Sequence, residues 1–212
     1  SRSIAYTYTE PTIFFEYSYD IARLAHAEGI ASVYVTNGYM TREMLELFQG
    51  RSNDHEPWLD AANVDLKAFR DETYKKVCGA RLQPVLDSLK NMKELGVWVE
   101  VTTLVVPDMN DSDAELCDIA QFIAQEVGVE TPWHVSRFHP DYKMYDRGAT
   151  PLSTLQRAYD LGKEAGLRYV YVGNLPGARL EDTYCPDCGE AVIRRRGFQL
   201  AQSALHDGHC AH

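Results

Sequence analysis

The sequence predicts an α/β protein, built as a partial (β/α) barrel with a small C-terminal appendage. Strand-like runs recur about every 28 to 36 residues, with helical segments between them. They begin near Ile4, Ser32, Ala61, Val97, Pro132 and Arg168. Four of these strands directly follow a glycine that closes a helix, in AEG-IASVYV, ELG-VWVEV, EVG-VETPWHV and EAG-LRYVYV. Such alternation implies right-handed βαβ units and a parallel sheet.

Local signals along the chain support the helices between these strands. The four junction glycines are predicted to take the left-handed conformation that ends a helix. They are Gly29, Gly96, Gly128 and Gly166. From Leu82, apolar residues recur with the helical period of 3.6. Ser112 and Glu115 form a capping box, and Thr150-Pro151 predicts a cap and a first-turn proline.

Alternation along the predicted strands sorts their side chains onto two faces. In AANVDLKAF, Ala62, Val64 and Leu66 are predicted to face the helices. Polar residues of this strand, of VWVEVTTL and of PWHVSRF fall on the other face. They are Asn63, Asp65, Lys67, Glu100, Thr102, His134 and Ser136. Because a packed barrel fills that face with branched apolar residues, the sequence predicts that this one surrounds a polar ligand.

Composition excludes several classes of protein. The 212 residues are 45% hydrophobic and 25% charged, as in ordinary soluble domains. A net charge of −10 and a pI near 5.1 argue against nucleic-acid binding. No run approaches the roughly 18 apolar residues of a membrane span. Five cysteines that include one C-x-x-C pair fit a reducing compartment, so the sequence predicts a cytoplasmic protein.

Polar motifs stand at the predicted carboxyl ends of the strands, where β/α barrels place their active residues. Thr36-Asn37-Gly38 alone is typical of a turn or a helix cap. Asp65 and Lys67 alone are equally consistent with an internal ion pair, and His134 and His139 with hydrogen-bonded core histidines. The coincidence of all these motifs at strand ends indicates a functional site.

With these motifs in order, the chain resembles the radical S-adenosylmethionine (SAM) enzymes of the AmmeMemoRadiSam system, relatives of pyruvate formate-lyase activating enzyme. The resemblance runs through AYTYTEPTIFFEY, VTNGYM, NVDLKAF, YKKVCGAR, VEVTTLVVPDMND, PWHVSRFHPDYKM and YVYVGNLPG. It implies an enzyme that uses SAM and a [4Fe–4S] cluster to generate a 5′-deoxyadenosyl radical. This radical abstracts hydrogen from an unknown substrate, for which a protein is one candidate. Flavodoxin or ferredoxin is the implied electron donor.

The resemblance also implies roles for individual residues. Glu10 matches the acidic end of the motif that meets the SAM amino group. Thr36, Asn37 and Gly38 match the motif near the ribose. Asp65 and Lys67 match a D-x-K motif that faces the methionyl end, and D-x-K places an acid and a base on one strand face. The remaining assignments are Thr103 to SAM and His134, His139 and Tyr142 to the substrate side. No catalytic residue is assigned.

One element of the family pattern does not occur in the sequence. Radical SAM chemistry requires a C-x-x-x-C-x-x-C loop for the cluster, and no such spacing is found among the five cysteines. We therefore expect that the chain lacks the first β/α unit with this loop and is inactive alone. Cys78 and Cys117 are isolated and are expected to be structural or incidental.

The domain prediction is a partial barrel over residues 1–174, followed by a linker and an incomplete zinc-ribbon-like tail over 175–212. Cys185-Pro-Asp-Cys188-Gly is a knuckle, and Cys210 follows at a ribbon-like interval. These three cysteines are predicted to bind metal, with zinc as the candidate. The family's fourth cysteine would fall one residue after His212, and His206, His209 or His212 could replace it. Arg194, Arg195 and Arg196 are expected to form a solvated strand edge.

Two alternative functions remain open at this point. One is a barrel lyase that uses Lys67 as a Schiff-base nucleophile, although Asp65 would favour the charged form of that lysine. The other is a partner-binding scaffold without catalysis, which docks through the tail.

Overall fold

The computed structural model describes residues 1–52, 55–175, 179–197 and 199–211. Its central sheet has the strand order β1-β2-β3-β4-β5-β6. The strands are β1 (Ser3–Tyr6), β2 (Ala31–Thr36), β3 (Ala61–Asp65), β4 (Trp98–Val105), β5 (Trp133–Arg137) and β6 (Val170–Gly173). The pairs β1–β2, β2–β3, β3–β4 and β5–β6 are parallel. The predicted α/β class is confirmed.

Helices connect these strands. They are α1 (Phe15–Ala27), α2 (Arg42–Phe48), α3 (Asp71–Thr73), α4 (Gln83–Glu94), α5 (Asp113–Phe122) and α6 (Leu152–Glu164). Two of them continue as π-helical turns, Tyr74–Cys78 after α3 and Ile123–Val127 after α5. Short 3-10 helices span Pro11–Phe14 and Arg179–Glu181. No helix in the described part of the chain is long and apolar enough to cross a membrane.

The chain divides within β4 into two compact units, residues 1–102 and 103–212. In the first unit, Ala62 and Val64 of β3 are at most 1% exposed, as the alternation of the strand predicts. Val85, Leu89 and Met92 of α4 are equally buried, which confirms the predicted apolar stripe. Hydrophobic burial on this side of β1–β4 leaves the polar residues of β3 on the opposite face.

The second unit contains β5, β6, α5, α6 and the C-terminal strands. Trp133 and Val135 are fully buried, while His134 pairs in register with Tyr171 on the other face. The tail forms a three-stranded antiparallel sheet of β7 (Thr183–Tyr184), β8 (Ala191–Arg196) and β9 (Gln199–Ser203). A hairpin of β10 (Leu205–His206) and β11 (His209–Cys210) follows. The predicted boundary at residue 174 falls inside this unit, just before these strands.

Two local predictions differ from the structure. Three junction glycines are left-handed, but Gly128, which follows a π-helical turn and donates its N–H to Ile123 O (2.7 Å), has φ 129° and ψ 147°. The N-cap position of α6 is held by Pro151 rather than by Thr150, without a side-chain cap. The Thr150 hydroxyl instead donates to Val105 O (2.6 Å) and accepts from the N–H of Phe138 (2.9 Å). The predicted Ser112 cap of α5 is confirmed.

Candidate functional site

Glu10 joins the end of β1 to the end of β2. Its Oε1 accepts hydrogen bonds from Thr36 Oγ1 (2.6 Å) and from the N–H of Thr12 (3.2 Å). Its Oε2 accepts from the N–H of Asn37 (2.8 Å). Bonds from several donors to one carboxylate are charge-assisted and strong. Glu10 therefore organises the loop and the neighbouring turn through its side chain.

The Thr36-Asn37-Gly38 turn continues this network. The N–H of Gly38 donates to Thr36 Oγ1 (3.1 Å), and Asn37 Oδ1 accepts from the N–H of Tyr39 (2.8 Å). Gly38 has φ 71°, and a Cβ there would lie 2.6 Å from Val64 Cγ1. Only glycine allows the turn to approach β3 this closely in the left-handed conformation.

Asp65 and Lys67 form an ion pair at the end of β3. Lys67 Nζ lies 2.7 Å from Asp65 Oδ2, and the two side chains are 42% and 40% exposed. On the same face, Asn63 Oδ1 accepts from Thr102 Oγ1 (2.8 Å). This arrangement presents both charges, partly open to solvent, to the face opposite the helices. Such a pair can exchange its internal contact for contacts with a zwitterionic ligand.

Tyr74 is a buried residue that contacts the backbone of Lys67. The sequence analysis did not identify it. Its ring is 3% exposed, and its hydroxyl accepts a hydrogen bond from the backbone N–H of Lys67 (3.0 Å). Burial raises the pKa of the Tyr74 phenol, which keeps it neutral. The ring stands at the start of the π-helical turn Tyr74–Cys78, a feature frequent at functional sites. The sequence carries no recognisable signal for such a turn.

Thr103 does not lie with the other residues assigned to SAM. Strand alternation places it on the buried face of β4 with Val101, and its side chain is fully buried. There its hydroxyl accepts a hydrogen bond from Trp133 Nε1 (3.0 Å). Thr102, which pairs in register with Asp65, shares the face of Asp65, and the assignment of Thr103 to SAM stays a prediction.

The three residues predicted for the substrate side differ in their surroundings. The His134 ring stacks on Tyr171 with centroids 5.4 Å apart and 24° between the planes. His139 is exposed, and its Nε2 lies 3.4 Å from Asn174 O after β6. Tyr142 is 75% exposed in the loop that follows β5. His134 is the residue of this set that is built into the sheet.

The structure brings together the three predicted metal ligands. The sulfur atoms of Cys185, Cys188 and Cys210 all lie within 4.8 Å of one another, and Cys188 Sγ is 3.7 Å from Cys210 Sγ. Tetrahedral zinc with Zn–S bonds of about 2.3 Å separates its sulfurs by about 3.8 Å. Backbone N–H groups of Cys188 and Asp187 lower the pKa of the Cys185 thiol, which favours the ligating thiolate.

The spacing of the cysteine sulfur atoms indicates whether they could bind a single metal ion or an iron–sulfur cluster. Thiolates on separate irons of a [4Fe–4S] cluster lie farther apart than those sharing one ion, so the cysteine triad fits one tetrahedral metal. Cys78 is exposed, and Cys117 Sγ accepts from Gln121 Nε2 (3.3 Å) on its own helix. In the described part of the chain, the cysteine triad is the one cysteine-containing group close enough to share a metal. His206 and His209 are not members of it, and His212 lies outside the described residues.

Some known proteins are similar to this chain in sequence, and others are similar in fold. The chain is 48% identical over 92% of its length to an uncharacterized protein of Methanocaldococcus jannaschii, covering 56% of that protein. It is 26% identical over 62% of its length to the pyruvate formate-lyase-activating enzyme of Clostridium pasteurianum, covering 56% of that enzyme. The chain thus spans about half the length of these relatives.

Among solved structures, the fold resembles a domain of the pyruvate-formate lyase-activating enzyme from Bacteroides vulgatus. The TM-score is 0.69 at 14% identity, over 82% of this chain and all of that domain. At this identity the likeness concerns the fold alone. The family model for the radical SAM superfamily matches residues 1–120, which is more than half of the chain. The chain belongs to the radical SAM superfamily.

Proposed function

We propose that this chain forms the SAM-binding wall of a radical SAM enzyme of the activating-enzyme type. The observation that carries the proposal is the half-exposed Asp65–Lys67 ion pair beside the ordered Thr36-Asn37-Gly38 turn. Both stand at carboxyl ends of parallel strands, where α/β proteins bind their ligands. The AmmeMemoRadiSam group, predicted from the same motifs, is the finer assignment that we propose within the superfamily.

The charges of the pair match the amino-acid end of SAM. The Lys67 ammonium would bind the methionyl carboxylate, and the Asp65 carboxylate would bind the ammonium. Because each charge already has a partner at 2.7 Å, binding exchanges one ion pair for two without leaving a charge unpaired. Tyr74 fixes the backbone of Lys67 during this exchange.

The family resemblance implies that Glu10 contacts the SAM amino group, but its hydrogen bonds suggest a different role. Both of its oxygens are engaged by Thr12, Thr36 and Asn37. We propose that Glu10 orients the Thr36-Asn37-Gly38 turn, and that the turn meets the ribose. The contribution of Glu10 to SAM binding is then mainly indirect.

Bound SAM and its iron–sulfur cluster supply the hydrogen-abstraction chemistry. The cysteines present do not fit that cluster, because none has the C-x-x-x-C-x-x-C spacing and the cysteine triad has the sulfur spacing of one ion. We therefore assign these residues only the binding and orientation of SAM. The cysteine triad is proposed to hold zinc, which would brace the tail.

The substrate side is proposed to include His134, His139 and Tyr142. The relatives named as activating enzymes suggest a protein substrate and a flavodoxin- or ferredoxin-type electron donor. A cytoplasmic location fits this chemistry. The scaffold alternative predicts no SAM binding, and the Schiff-base alternative predicts borohydride trapping of a carbonyl compound on Lys67.

Titration of the chain with SAM tests the proposal. Isothermal calorimetry is run with SAM and, separately, with 5′-methylthioadenosine, which lacks the amino-acid end. We expect SAM to bind more tightly by about tenfold or more, the worth of one charge-assisted hydrogen bond. Equal affinity for the two compounds, or no binding of SAM, would contradict the assignment of Asp65 and Lys67.

A further inference from the structure

The middle arginine of β8 is turned inward, unlike its two neighbours. Arg194 and Arg196 are exposed, as the predicted strand edge requires, but Arg195 is half-buried. Its Nη1 donates to Glu181 O (2.7 Å) and to Thr183 Oγ1 (2.8 Å). Its guanidinium carbon lies 5.5 Å from the centroid of the Tyr171 ring. This geometry is that of a cation–π contact, which Arg makes more often than Lys.

Tyr171 lies between this arginine and His134. The Tyr171 ring stacks on His134, and its hydroxyl is 3.0 Å from Thr183 Oγ1. Thr183 therefore bonds to both Tyr171 and Arg195. A continuous series of contacts leads from the tail, through β7 and β6, to a histidine on the polar face of β5.

The buried carboxylate of Asp182 holds β8 beside the start of β7. Asp182 is 6% exposed, and its Oδ1 accepts a hydrogen bond from the backbone N–H of Arg195 (2.9 Å). Arg194 Nη1 lies 3.6 Å from Asp182 Oδ2. A carboxylate this deeply buried needs partners for its oxygen atoms, and these two contacts supply them. The register of β8 against β7 is thereby fixed.

The cysteine triad adjoins the same strands. Cys185 follows Thr183 by two residues, and its N–H donates to Glu190 O (2.8 Å) just before β8. Cys210 belongs to the separate hairpin of β10 and β11. A metal ion shared by Cys185, Cys188 and Cys210 would tie that hairpin to the turn between β7 and β8.

We propose that the C-terminal tail packs against the face of the sheet that carries His134 and positions that histidine, rather than acting as an independent docking module. Arg195 and Thr183 are positioning residues that hold Tyr171 against His134, and metal in the cysteine triad keeps β7 and β8 in place. The assignment of His134 to the substrate side rests on the proposed function. The contacts that link His134 to the tail through Tyr171 are independent of the proposed function.

The His134 Cε1–H resonance of the zinc-loaded full chain tests the proposal without SAM, so that a failed SAM titration does not affect the result. A His134→Gln variant assigns the resonance. We expect Arg195→Met to move it, because the stacked ring of Tyr171 loses its support. The matched control, Arg196→Met on the same strand, should leave it in place. If Arg195→Met does not fold, the nearly isosteric Thr183→Val variant replaces it, with Thr154→Val as its control.

Removal of the metal provides the second arm. Chelation of zinc from the wild-type chain should move the His134 resonance in the same direction as Arg195→Met, and added zinc should restore it. If the chemical shift of His134 Cε1–H changes neither in Arg195→Met nor on chelation, the proposal is overturned. A response to Arg195→Met without a response to chelation would overturn the part assigned to the metal.

Discussion

The ends of β2 and β3 carry two motifs that the family resemblance assigns to the same ligand, yet the structure treats them differently. At the end of β2, Thr36 is 3% exposed and its hydroxyl is bonded to Glu10 and to the Gly38 N–H. At the end of β3, Asp65 and Lys67 are about 40% exposed and paired with each other. The Thr36 side chain of the first motif is therefore engaged within the protein, whereas the two charged side chains of the second motif are open to a ligand.

This difference has an energetic consequence. Breaking a buried, charge-assisted network leaves donors without partners and costs stability. Breaking an exposed ion pair costs little, because water replaces the lost contact. Substitutions at the end of β2 should therefore act on folding, and substitutions at the end of β3 should act on binding.

The largest effect is expected for Gly38→Ala. The new Cβ would lie 2.6 Å from Val64 Cγ1 in a left-handed backbone, so we expect a loss of about 2 to 4 kcal/mol in the free energy of unfolding. Gly29→Ala is the matched control, since φ is 69° there and no atom lies within 4 Å. It should lose about 1 kcal/mol. Equal losses in urea unfolding would show that the turn does not pack on β3 as described.

Glu10→Gln should have the next largest effect. The amide offers one acceptor oxygen where the carboxylate offers two, and it places an N–H₂ group against the donors of Thr36 or Asn37. We expect a loss of about 2 kcal/mol in urea unfolding. Glu28→Gln, at an exposed position after α1, is the control and should change stability little. If Glu10→Gln leaves the free energy of unfolding unchanged, Glu10 does not orient the turn, and the direct contact with SAM implied by the resemblance is favoured instead.

Tyr74→Phe should have a smaller effect on folding. It removes the acceptor of the Lys67 N–H while keeping the buried ring, so we expect a loss of about 1 kcal/mol. Tyr17→Phe, at a 69% exposed ring, is the control and should be neutral. Should the two variants unfold at the same urea concentration, Tyr74 would not support the strand end.

The sequence predicts the sheet, the strand faces and the cysteine triad, because all three follow from periodicity or from spacing along the chain. It does not predict the hydrogen bonds of Glu10, because a resemblance transfers a residue's identity without its contacts. The assignment of Thr103 to SAM goes against the alternation of β4, which puts Thr102 on the polar face. Tyr74 and Tyr171 were missed, and Arg195 was expected on a solvated strand edge, because a π-helical turn and contacts between distant segments leave no local pattern.

The most direct test of the central claim is the affinity of SAM for Lys67→Met, measured beside its unfolding free energy. We predict that SAM binds at least about tenfold more weakly while stability changes by less than about 1 kcal/mol. Lys93→Met, at an exposed position on α4, should match the wild-type chain in both measurements. Unchanged SAM affinity in Lys67→Met would contradict the claim that the end of β3 holds the ligand.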